Sequence, residues 1–387
     1  MTDSTEPAKS RRPRKSDFPL QVHKASGYWC KSCKGRRIYF EQVKNDPNGQ
    51  RSLQTWLDQR DDLLAGRRPA SKDAKRIKDL CNHWLTHKQN KLKSGELSQR
   101  SFDEYKATTD FVVAQLGSNR AIDNVDSDDF AAMRVALAKQ YGPNGLSKRI
   151  QQVRSLFKHG WESGLLGAPA KYGPGFEKPT AKVMRQHRIA KGRQDFTAAE
   201  VQEMLRHARP NIRAMLLLGV QAGLGNTDIA ELPLSAVNLE TGWVDYPRAK
   251  TATHRRFKLW PETVAAIQTT LAIRPEVNSE LLFISARGND YTDAKRNGYR
   301  IAGDFVQVTE AAKITGKRGF YCLRRTFQTQ AEEARDLVAV QAVMGHISTE
   351  RDMSARYRQS ISDERLSAVA EVVRQWLLPI PAAMEVG

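Results

Sequence analysis

Short stretches in which apolar and aromatic residues lie among polar ones mark the beginning of the chain. Three β-rich stretches, Phe18–Lys24, Tyr28–Ser32 and Arg37–Val43, are separated by a Ser-Gly and a Lys-Gly dipeptide. Glycine-containing dipeptides between short strands are typical of hairpin turns. The apolar positions then take helical spacing in residues 51–66. The pattern predicts a domain of residues 17–66 that is built from a three-stranded sheet and one helix.

Four amphipathic segments follow in residues 72–165. In each of them, apolar side chains recur every three or four positions, which places them on one face of a helix. The first segment begins near Ile77, the fourth ends near Trp161, and Gly and Pro residues at 141–145 separate the last two. Four short amphipathic helices can bury their apolar faces against one another, so the pattern predicts a small helical bundle.

A segment rich in Gly, Pro and basic residues, 166–194, follows the bundle and is predicted to be a linker. After it, the string Thr197-Ala-Ala-Glu200 is a capping box, which predicts the start of a helix. A hairpin is predicted around Lys250, and helices are predicted for most of residues 300–378. Residues 195–387 are therefore predicted to form a mixed α+β domain, and the whole chain to be mainly α-helical with small β elements.

Positive charge is spread over most of the sequence. The 387 residues carry a formal charge of +19, and the isoelectric point is near 9.8. Such a field attracts polyanions, which favours nucleic-acid binding over a role in solubility alone. A basic tail is predicted in residues 1–16. Candidate phosphate contacts lie in the sheet, on the bundle and in the linker, although solvated helix faces explain the bundle charges nearly as well. These candidates are Lys34, Arg36 and Arg37; Lys148, Arg149 and Arg154; and Lys182, Arg185 and Arg188.

The sequence argues against several other classes of protein. No apolar run approaches the ~20 residues that cross a bilayer, and the N-terminus has no signal-peptide core. Four scattered cysteines fit a reducing cytosol. Cys30 and Cys33 form a Cys-x-x-Cys pair, and Cys81, His83 and His87 also carry metal-binding side chains. A single pair is a weak zinc signal, and packed or surface positions explain all five residues better, so no metal site is predicted.

Arg324, His346 and Tyr357, near the C-terminus, carry side chains that together suit phosphoryl transfer. An arginine can bind a phosphate through two parallel hydrogen bonds, and a histidine can donate to the same group. A tyrosine phenol can attack phosphorus and form a covalent intermediate. In a strongly basic chain, these residues predict phosphoryl transfer through a phosphotyrosine, with the phosphate supplied by DNA.

The strings that contain these residues resemble the motifs of the tyrosine recombinases, the phage-integrase family. They are Tyr321-Cys-Leu-Arg324-Arg-Thr, Met344-Gly-His346 and Ala355-Arg-Tyr357. The resemblance covers nearly all of the chain. It implies an arm-site-binding domain at residues 17–66, a helical, SAM-like core-binding domain at residues 72–165, and a catalytic domain at residues 195–387.

Members of this family cut and rejoin DNA through a 3′-phosphotyrosine bond, without metal or nucleotide. The resemblance therefore implies a site-specific recombinase, or integrase, that needs no cofactor and acts on double-stranded DNA at core sites and arm sites. It also implies self-association on the DNA, with a tetramer in the synaptic complex and no membrane partner. The implied location is the cytoplasm, at the bacterial nucleoid.

The family's catalytic roles carry over to matching positions of this sequence. Tyr357 matches the nucleophile, Arg324 the second catalytic arginine, and His346 the residue that hydrogen-bonds the scissile phosphate. Lys250 matches the hairpin lysine that protonates the leaving 5′ oxygen. Fixed cationic donors stabilise the pentavalent phosphorane selectively because it carries more negative charge than the ground state, and a departing alkoxide needs a proton.

Two positions depart from the family pattern. The string Ala222-Gly-Leu-Gly225-Asn-Thr-Asp228 aligns with one whose fourth residue is the first catalytic arginine, so Gly225 stands in its place. The loss of one clamping arginine costs roughly 3 kcal/mol or more, about a hundredfold in rate. Arg213, Arg248 and Arg255 are candidate replacements. Tyr321 stands where a His or Lys usually accepts a proton, and a phenol is a poor base near neutral pH.

Two alternatives to an active recombinase stay open at this point. Gly225 favours a recombinase-derived DNA-binding protein that no longer cuts, whereas the retention of Tyr357, Arg324 and His346 argues against it. A topoisomerase-like relaxing enzyme would use the same tyrosine chemistry, but the arm-like N-terminus disfavours it. The apolar C-terminal segment 369–378 also has two candidate partners, a neighbouring subunit or its own domain.

Overall fold

The computed structural model describes residues 18–66, 74–248, 250–293, 298–346 and 357–379. The predicted basic tail at residues 1–16 lies outside these ranges, as do Ala355 and Arg356 of the third motif. The chain divides into two compact units, residues 1–188 and 189–387.

The first unit begins with a three-stranded antiparallel sheet and a helix, as the sequence predicts. The elements are β1 Gln21–His23, β2 Tyr28–Cys33, β3 Arg36–Gln42 and α1 Gln50–Ala65, with the strands in the order β1-β2-β3. Both hairpin turns need positive φ angles, +69° at Gly27 and +76° at Gly35, which glycine adopts without steric cost. Trp56 and Leu63 of α1 pack in one cluster with Cys33 of β2, so the helix covers one face of the sheet.

Four helices follow the sheet and form a bundle. They are α2 Ile77–Lys93, α3 Gln99–Leu116, α4 Ser127–Gln140 and α5 Pro143–Glu162. Side-chain oxygens cap two of the helix starts: Ser98 accepts from the backbone N–H of Ser101, and Asp126 accepts from those of Asp128 and Asp129. The apolar faces meet in one buried cluster, which confirms the predicted four-helix bundle.

The predicted linker, residues 166–194, contains a part that packs against the bundle and a helix. Phe176 is buried in the core of the bundle, where its ring and that of Tyr172 pack against Phe130. The chain then forms helix α6 Ala181–Ala190, which has no buried residue among those described. An irregular segment can bury aromatic side chains without any periodic pattern, so the search for periodic apolar positions does not detect this packing.

Three histidines, His83 and His87 on α2 and His159 on α5, lie against one another on the bundle surface. Nδ1 of His83 is 2.9 Å from Nε2 of His159, and the centroid of the His159 ring is 5.1 Å from those of the other two. Burial is the main cause that lowers the pKa values of His87 and His159, and positive charge from Lys88 and the other rings adds to it. Within the described ranges, no group of three or more His, Cys, Asp or Glu side chains is arranged to hold a metal ion.

The lowered pKa values predict that the first unit loses stability in mild acid. Well above about pH 6.5, the His87 and His159 rings are neutral in both the folded and the unfolded chain. Below it, the unfolded chain takes up protons that the folded His87 and His159 resist, so unfolding becomes more favourable until the pH passes the folded pKa values. Glu96 and Glu162 oppose this effect without reversing it. We expect the melting temperature to fall by a few degrees between about pH 7 and pH 5, as scanning calorimetry would measure.

The matched variants are His159→Gln, which removes the ring that contacts both others, and His187→Gln on α6, outside the cluster. The fall in melting temperature should be smaller in His159→Gln and unchanged in His187→Gln. Equal falls in wild type and His159→Gln would contradict the role given to this cluster.

In the second unit, helices pack around one buried helix, α8. The helices are α7 Ala198–His207, α8 Pro210–Ala222, α9 Asn226–Ala230, α10 Pro261–Ala272, α11 Ile301–Ala311, α12 Cys322–Ala331, α13 Leu337–Val343 and α14 Asp363–Leu377. The strands β4 Val237–Asn238, β5 Trp243–Asp245 and β6 Arg256–Lys258 form an antiparallel sheet, and β7 Thr292–Asp293 pairs with β8 Gly298–Tyr299. The predicted hairpin is β5–β6, which β4 extends, and Thr197 and Glu200 form the predicted capping box of α7.

The core of the second unit lies between α8, α10, α12 and α14. Gly219 of α8 permits a close approach, because a β-carbon there would lie 2.9 Å from Cδ1 of Leu323 on α12. Val373 of α14 is fully buried, and the indole Nε1 of Trp260 donates to the carbonyl oxygen of Ala370 (2.8 Å). The C-terminal helix therefore packs on its own unit. Although α8 is strongly apolar, no helix in the described part of the chain has the length and apolar character to cross a membrane.

Candidate active site

Arg324 lies on α12, and its guanidinium reaches the ends of two other helices. Gly223, whose φ is +63°, is the C-cap of α8, and Met344 is the C-cap of α13. Nη1 of Arg324 donates to the carbonyl oxygen of Gly223 (2.6 Å), and Nη2 donates to that of Met344 (2.8 Å). Carbonyls at a helix C-terminus lack partners within the helix and carry partial negative charge, so they stabilise a cation. Arg324 is 3% exposed, and these bonds fix its position.

His346 follows Gly345 after α13 and lies beside this guanidinium. Its Nε2 is 2.9 Å from Nη2 of Arg324. Arginine nitrogens only donate, so Nε2 accepts this bond and the neutral ring carries its proton on Nδ1. Burial, followed by the charges of Arg324 and Arg248, lowers the pKa of His346. The ring is therefore neutral near pH 7, and Nδ1–H is its donor.

Positive charge is concentrated around Arg324. Burial is the main cause that lowers its pKa to about 10; Arg248 and Arg255 add to this effect, whereas Tyr321 and Asp228 oppose it. The guanidinium stays charged at neutral pH because this pKa is still well above 7. Several cations close together repel one another, and an anion placed among them relieves that repulsion.

Gly225 precedes α9 and leaves no side chain beside these cations. Its backbone N–H donates to Oδ2 of Asp228 (2.9 Å), and Nη2 of Arg255 donates to Oδ1 of the same carboxylate (3.2 Å). Arg255 is fully buried, and its Nε also donates to the carbonyl oxygen of Tyr246 (3.2 Å). Arg255, the residue just before β6, therefore pairs with Asp228, and the same carboxylate accepts the backbone N–H of Gly225.

Tyr321 precedes α12 and is 55% exposed. A β-carbon at Gly225 would lie 3.8 Å from Cδ2 of its ring. The phenol ring therefore borders the space that a side chain at position 225 would enter.

Lys250 lies in an ordered turn between β5 and β6. The backbone N–H of Arg248 donates to the carbonyl oxygen of Thr253 (2.8 Å), and the carbonyl of Arg248 accepts from Thr251 (3.1 Å) and Ala252 (2.8 Å). These bonds hold the turn closed. Lys250 is exposed at its tip, so its ammonium group is accessible to an anionic ligand.

Tyr357 is 78% exposed, and residues 347–356 before it lie outside the described ranges. The next residue, Arg358, lines a cleft of about 550 Å³ together with His346. The other walls of this cleft come from α13, from the start of α14 and from the end of the β5–β6 turn. Tyr357 is therefore next to a residue of the cleft that contains His346.

The structure brings Arg324, His346 and Tyr321 together and adds Arg248 and Arg255 to the same neighbourhood. Sequence reasoning gave no role to Asp228, which pairs with Arg255 and caps α9. Its position three residues after the Gly225 that precedes a helix was the available signal, because an acidic residue there can cap the helix start.

The basic residues proposed as phosphate contacts in the first unit have different surroundings. The exposed ones are Lys34, Arg36, Arg37, Lys148, Lys182, Arg185 and Arg188. Arg149, in contrast, donates from Nη1 to the carbonyl oxygen of Glu104 (2.8 Å) and to Oγ1 of Thr108 (2.7 Å). Nη2 of Arg154 donates to the carbonyl oxygen of Phe176 (2.7 Å). These two guanidinium groups join parts of the bundle, and their role as DNA contacts stays a prediction.

Residues 194–363 match the family model described as the phage integrase family. This part of the chain is therefore similar to the tyrosine recombinases. No curated protein matches the chain.

Solved structures of integrases share the fold. A lambda integrase dimer bound to a COC′ core site is 14% identical, with a TM-score of 0.57, over 92% of this chain and 99% of that chain. A lambda integrase tetramer bound to a Holliday junction is 15% identical, with a TM-score of 0.58, over 91% of this chain and 99% of that chain. The Tn1549 transposon integrase in complex with a circular intermediate DNA is 13% identical, with a TM-score of 0.58, over 77% of this chain and 99% of that chain.

Proposed function

We propose that this chain is a site-specific DNA recombinase that cleaves and rejoins DNA through a 3′-phosphotyrosine intermediate. The observation that carries the proposal is the fixed contact between Arg324 and His346. His346 lines a cleft that also includes Arg358, the residue directly after Tyr357. A buried cation and a neutral ring donor are held side by side there, and the exposed Tyr357 directly precedes a residue of that cleft in the sequence. The match of residues 194–363 to the phage integrase family model supports the same function.

In the proposed cleavage step, the phenol oxygen of Tyr357 attacks the scissile phosphorus, and the bond from phosphorus to the 5′ oxygen breaks. The phosphodiester is exchanged for a phosphotyrosine, so the step consumes neither metal nor nucleotide. Arg324 and Nδ1–H of His346 donate to the non-bridging oxygens, whose negative charge grows in the phosphorane. Lys250 protonates the leaving oxygen.

Rejoining reverses these steps with the 5′ hydroxyl of a partner strand. That hydroxyl attacks the phosphotyrosine and loses its proton to the neutral amine of Lys250, and the bond from phosphorus to the tyrosine oxygen breaks. The released phenolate of Tyr357 takes a proton from solvent. Tyr321 borders the site and contributes by hydrogen bonding, because a phenol is a poor base at neutral pH. The phenolic proton of Tyr357 leaves to solvent in the cleavage step.

The first unit is proposed to bind DNA around the cleavage site. The exposed Lys34, Arg36 and Arg37 make the N-terminal sheet a candidate surface for arm sites, and α6 is a candidate contact for core DNA. The lambda integrase structures hold a core site in a dimer and a Holliday junction in a tetramer. By analogy we infer that this chain binds double-stranded DNA, self-associates on it and forms a tetramer in the synaptic complex, in the cytoplasm at the nucleoid.

A recombinase-derived DNA-binding protein that no longer cuts is the second candidate function. Gly225 favours it, because the glycine removes one cationic donor from the phosphate clamp, and such a donor is worth ~3 kcal/mol of transition-state stabilisation. The two functions differ in whether a covalent intermediate forms.

The formation of a covalent protein–DNA adduct tests the proposal. Duplexes that bind the protein are selected from a random-sequence pool and then nicked at successive positions, so that cleavage frees a short strand and the intermediate accumulates. We expect an adduct that resists detergent, with the DNA attached to the peptide that contains Tyr357. A chain that binds its selected duplex with steep salt dependence but gives no adduct is the DNA-binding protein instead.

A further inference from the structure

Arg324 and His346, the proposed phosphate ligands, are called the phosphate clamp. The clamp lacks a side chain at Gly225, and the sequence offers three arginines as replacements. Arg213 is exposed near the start of α8, where Nη1 donates to the carbonyl oxygen of Leu205 (2.7 Å). It lies ten residues before Gly223, which corresponds to about 15 Å along the helix axis. Arg213 is therefore at the wrong end of α8 to replace a side chain at position 225.

Arg255 reaches the neighbourhood of Gly225 but is closed off from solvent. It is 0% exposed and is held by Asp228 and by the carbonyl of Tyr246. Its Nη1 has no hydrogen-bond partner among the described residues. A side chain enclosed in this way affects a bound phosphate through its charge, but it cannot contact the phosphate unless the core around it opens.

Arg248 differs from both because it is near the clamp and only half-buried. Its Nη1 is 3.4 Å from the carbonyl oxygen of Gly345, which is a long hydrogen bond. A β-carbon at Gly345 would lie 3.0 Å from Cβ and 3.3 Å from Cδ of Arg248. Because residue 345 has no β-carbon, the side chain of Arg248 can lie against the backbone directly before His346.

The charge of Arg248 acts on both of the other phosphate ligands. It contributes to the lowered pKa of Arg324 and to the lowered pKa of His346. The geometry agrees, because its guanidinium contacts the carbonyl of Gly345, the residue directly before His346. Arg248 is also the first residue of the turn that contains Lys250. The hairpin therefore places two cations, Arg248 and Lys250, on this side of the site.

We propose that Arg248 contacts the scissile phosphate and takes the place of the arginine that Gly225 lacks. The inference rests on the proposed recombinase function. A charge-assisted arginine–phosphate pair is stronger than a long bond to a neutral carbonyl, so Arg248 exchanges the carbonyl of Gly345 for a phosphate oxygen when DNA binds. The phosphate then lies between Arg248 and Arg324 and relieves their mutual repulsion.

The first part of the test combines loss and rescue. Arg248→Ala should lower the rate of adduct formation on the selected nicked duplex about 100-fold or more. Gly225→Arg in the Arg248→Ala background should recover at least about tenfold of that rate, since Gly225 has an ordinary φ of −92° and the nearest atom to a β-carbon there is Oδ2 of Asp228 at 3.4 Å. Arg213→Ala is the matched control and should keep the wild-type rate.

A second readout does not depend on cleavage. Orthovanadate adopts the five-coordinate geometry of the phosphorane, and its binding to the intact chain can be measured directly. We expect its dissociation constant to rise about tenfold in Arg248→Ala, and to be unchanged in Arg213→Ala.

Two results would overturn the inference. One is a wild-type rate of adduct formation in Arg248→Ala while Arg324→Ala loses that rate, which leaves the recombinase function standing. The other is equal vanadate affinity in wild type and Arg248→Ala, whatever the rescue experiment gives. Vanadate binding that depends on Arg248 in a chain that forms no adduct would support the inference and remove the recombinase function.

Discussion

Tyr357→Phe is expected to abolish the covalent protein–DNA adduct while leaving DNA binding intact. Phenylalanine lacks only the phenol oxygen, and without it no tyrosyl–phosphorus bond can form at this position. The rate of adduct formation should fall by about 10⁴-fold or more, as losses of a covalent nucleophile do. Because Tyr357 is 78% exposed, the substitution should cost little stability. Denaturing electrophoresis of the labelled, selected duplex measures the adduct.

The matched control is Tyr39→Phe. Tyr39 is also exposed (47%) and lies on β3 in the first unit, so its phenol oxygen should not affect the adduct. Equal duplex affinity in wild type and both variants, over a range of salt concentrations, would show that a lost adduct reflects chemistry rather than binding. An adduct that persists in Tyr357→Phe would place the nucleophile elsewhere.

The regular elements of the fold could be predicted because each has its own local pattern. Strand β2, for example, spans Tyr28–Cys33, and the β-rich composition between two Gly-containing dipeptides predicts Tyr28–Ser32. The packing of Tyr172 and Phe176 could not be predicted in the same way. Their burial depends on Phe130, more than 40 residues earlier in the sequence, and the segment that carries them has no regular spacing. Periodicity reports local order and gives no information on such distant contacts.

The residue types of the candidate site could be read from its motifs, but their contacts could not. Arg324 is held by the backbone carbonyls of Gly223 and Met344. Every residue carries a carbonyl, so no pattern of side chains marks these partners. The arginines of the bundle show a related difficulty: the long side chain of Arg149 reaches inward from a helix surface to Thr108, and its position on a helical wheel does not reveal this.

Asp228→Ala is expected to destabilise the second unit by about 3–5 kcal/mol, because it leaves a buried charge without its partner. Arg255 is 0% exposed, and Asp228 is the carboxylate that its Nη2 contacts. Burial already lowers the pKa of Arg255, and the attraction of Asp228 opposes that effect. The same substitution removes the acceptor for the backbone N–H of Gly225 (2.9 Å). A loss of this size is a large part of the ~5–15 kcal/mol that stabilises a typical domain.

Hydrogen-exchange mass spectrometry of the intact chain can measure this free energy for the peptides of α8 and α9. Asp228→Ala combined with Arg255→Met should recover most of the loss, because apolar side chains can replace a buried ion pair at little cost. The control is Glu203→Ala, whose carboxylate pairs with Arg206 and His207 on the surface of α7 and should cost at most about 1 kcal/mol. If the double variant is no more stable than Asp228→Ala, the buried charge of Arg255 is not what destabilises the single variant.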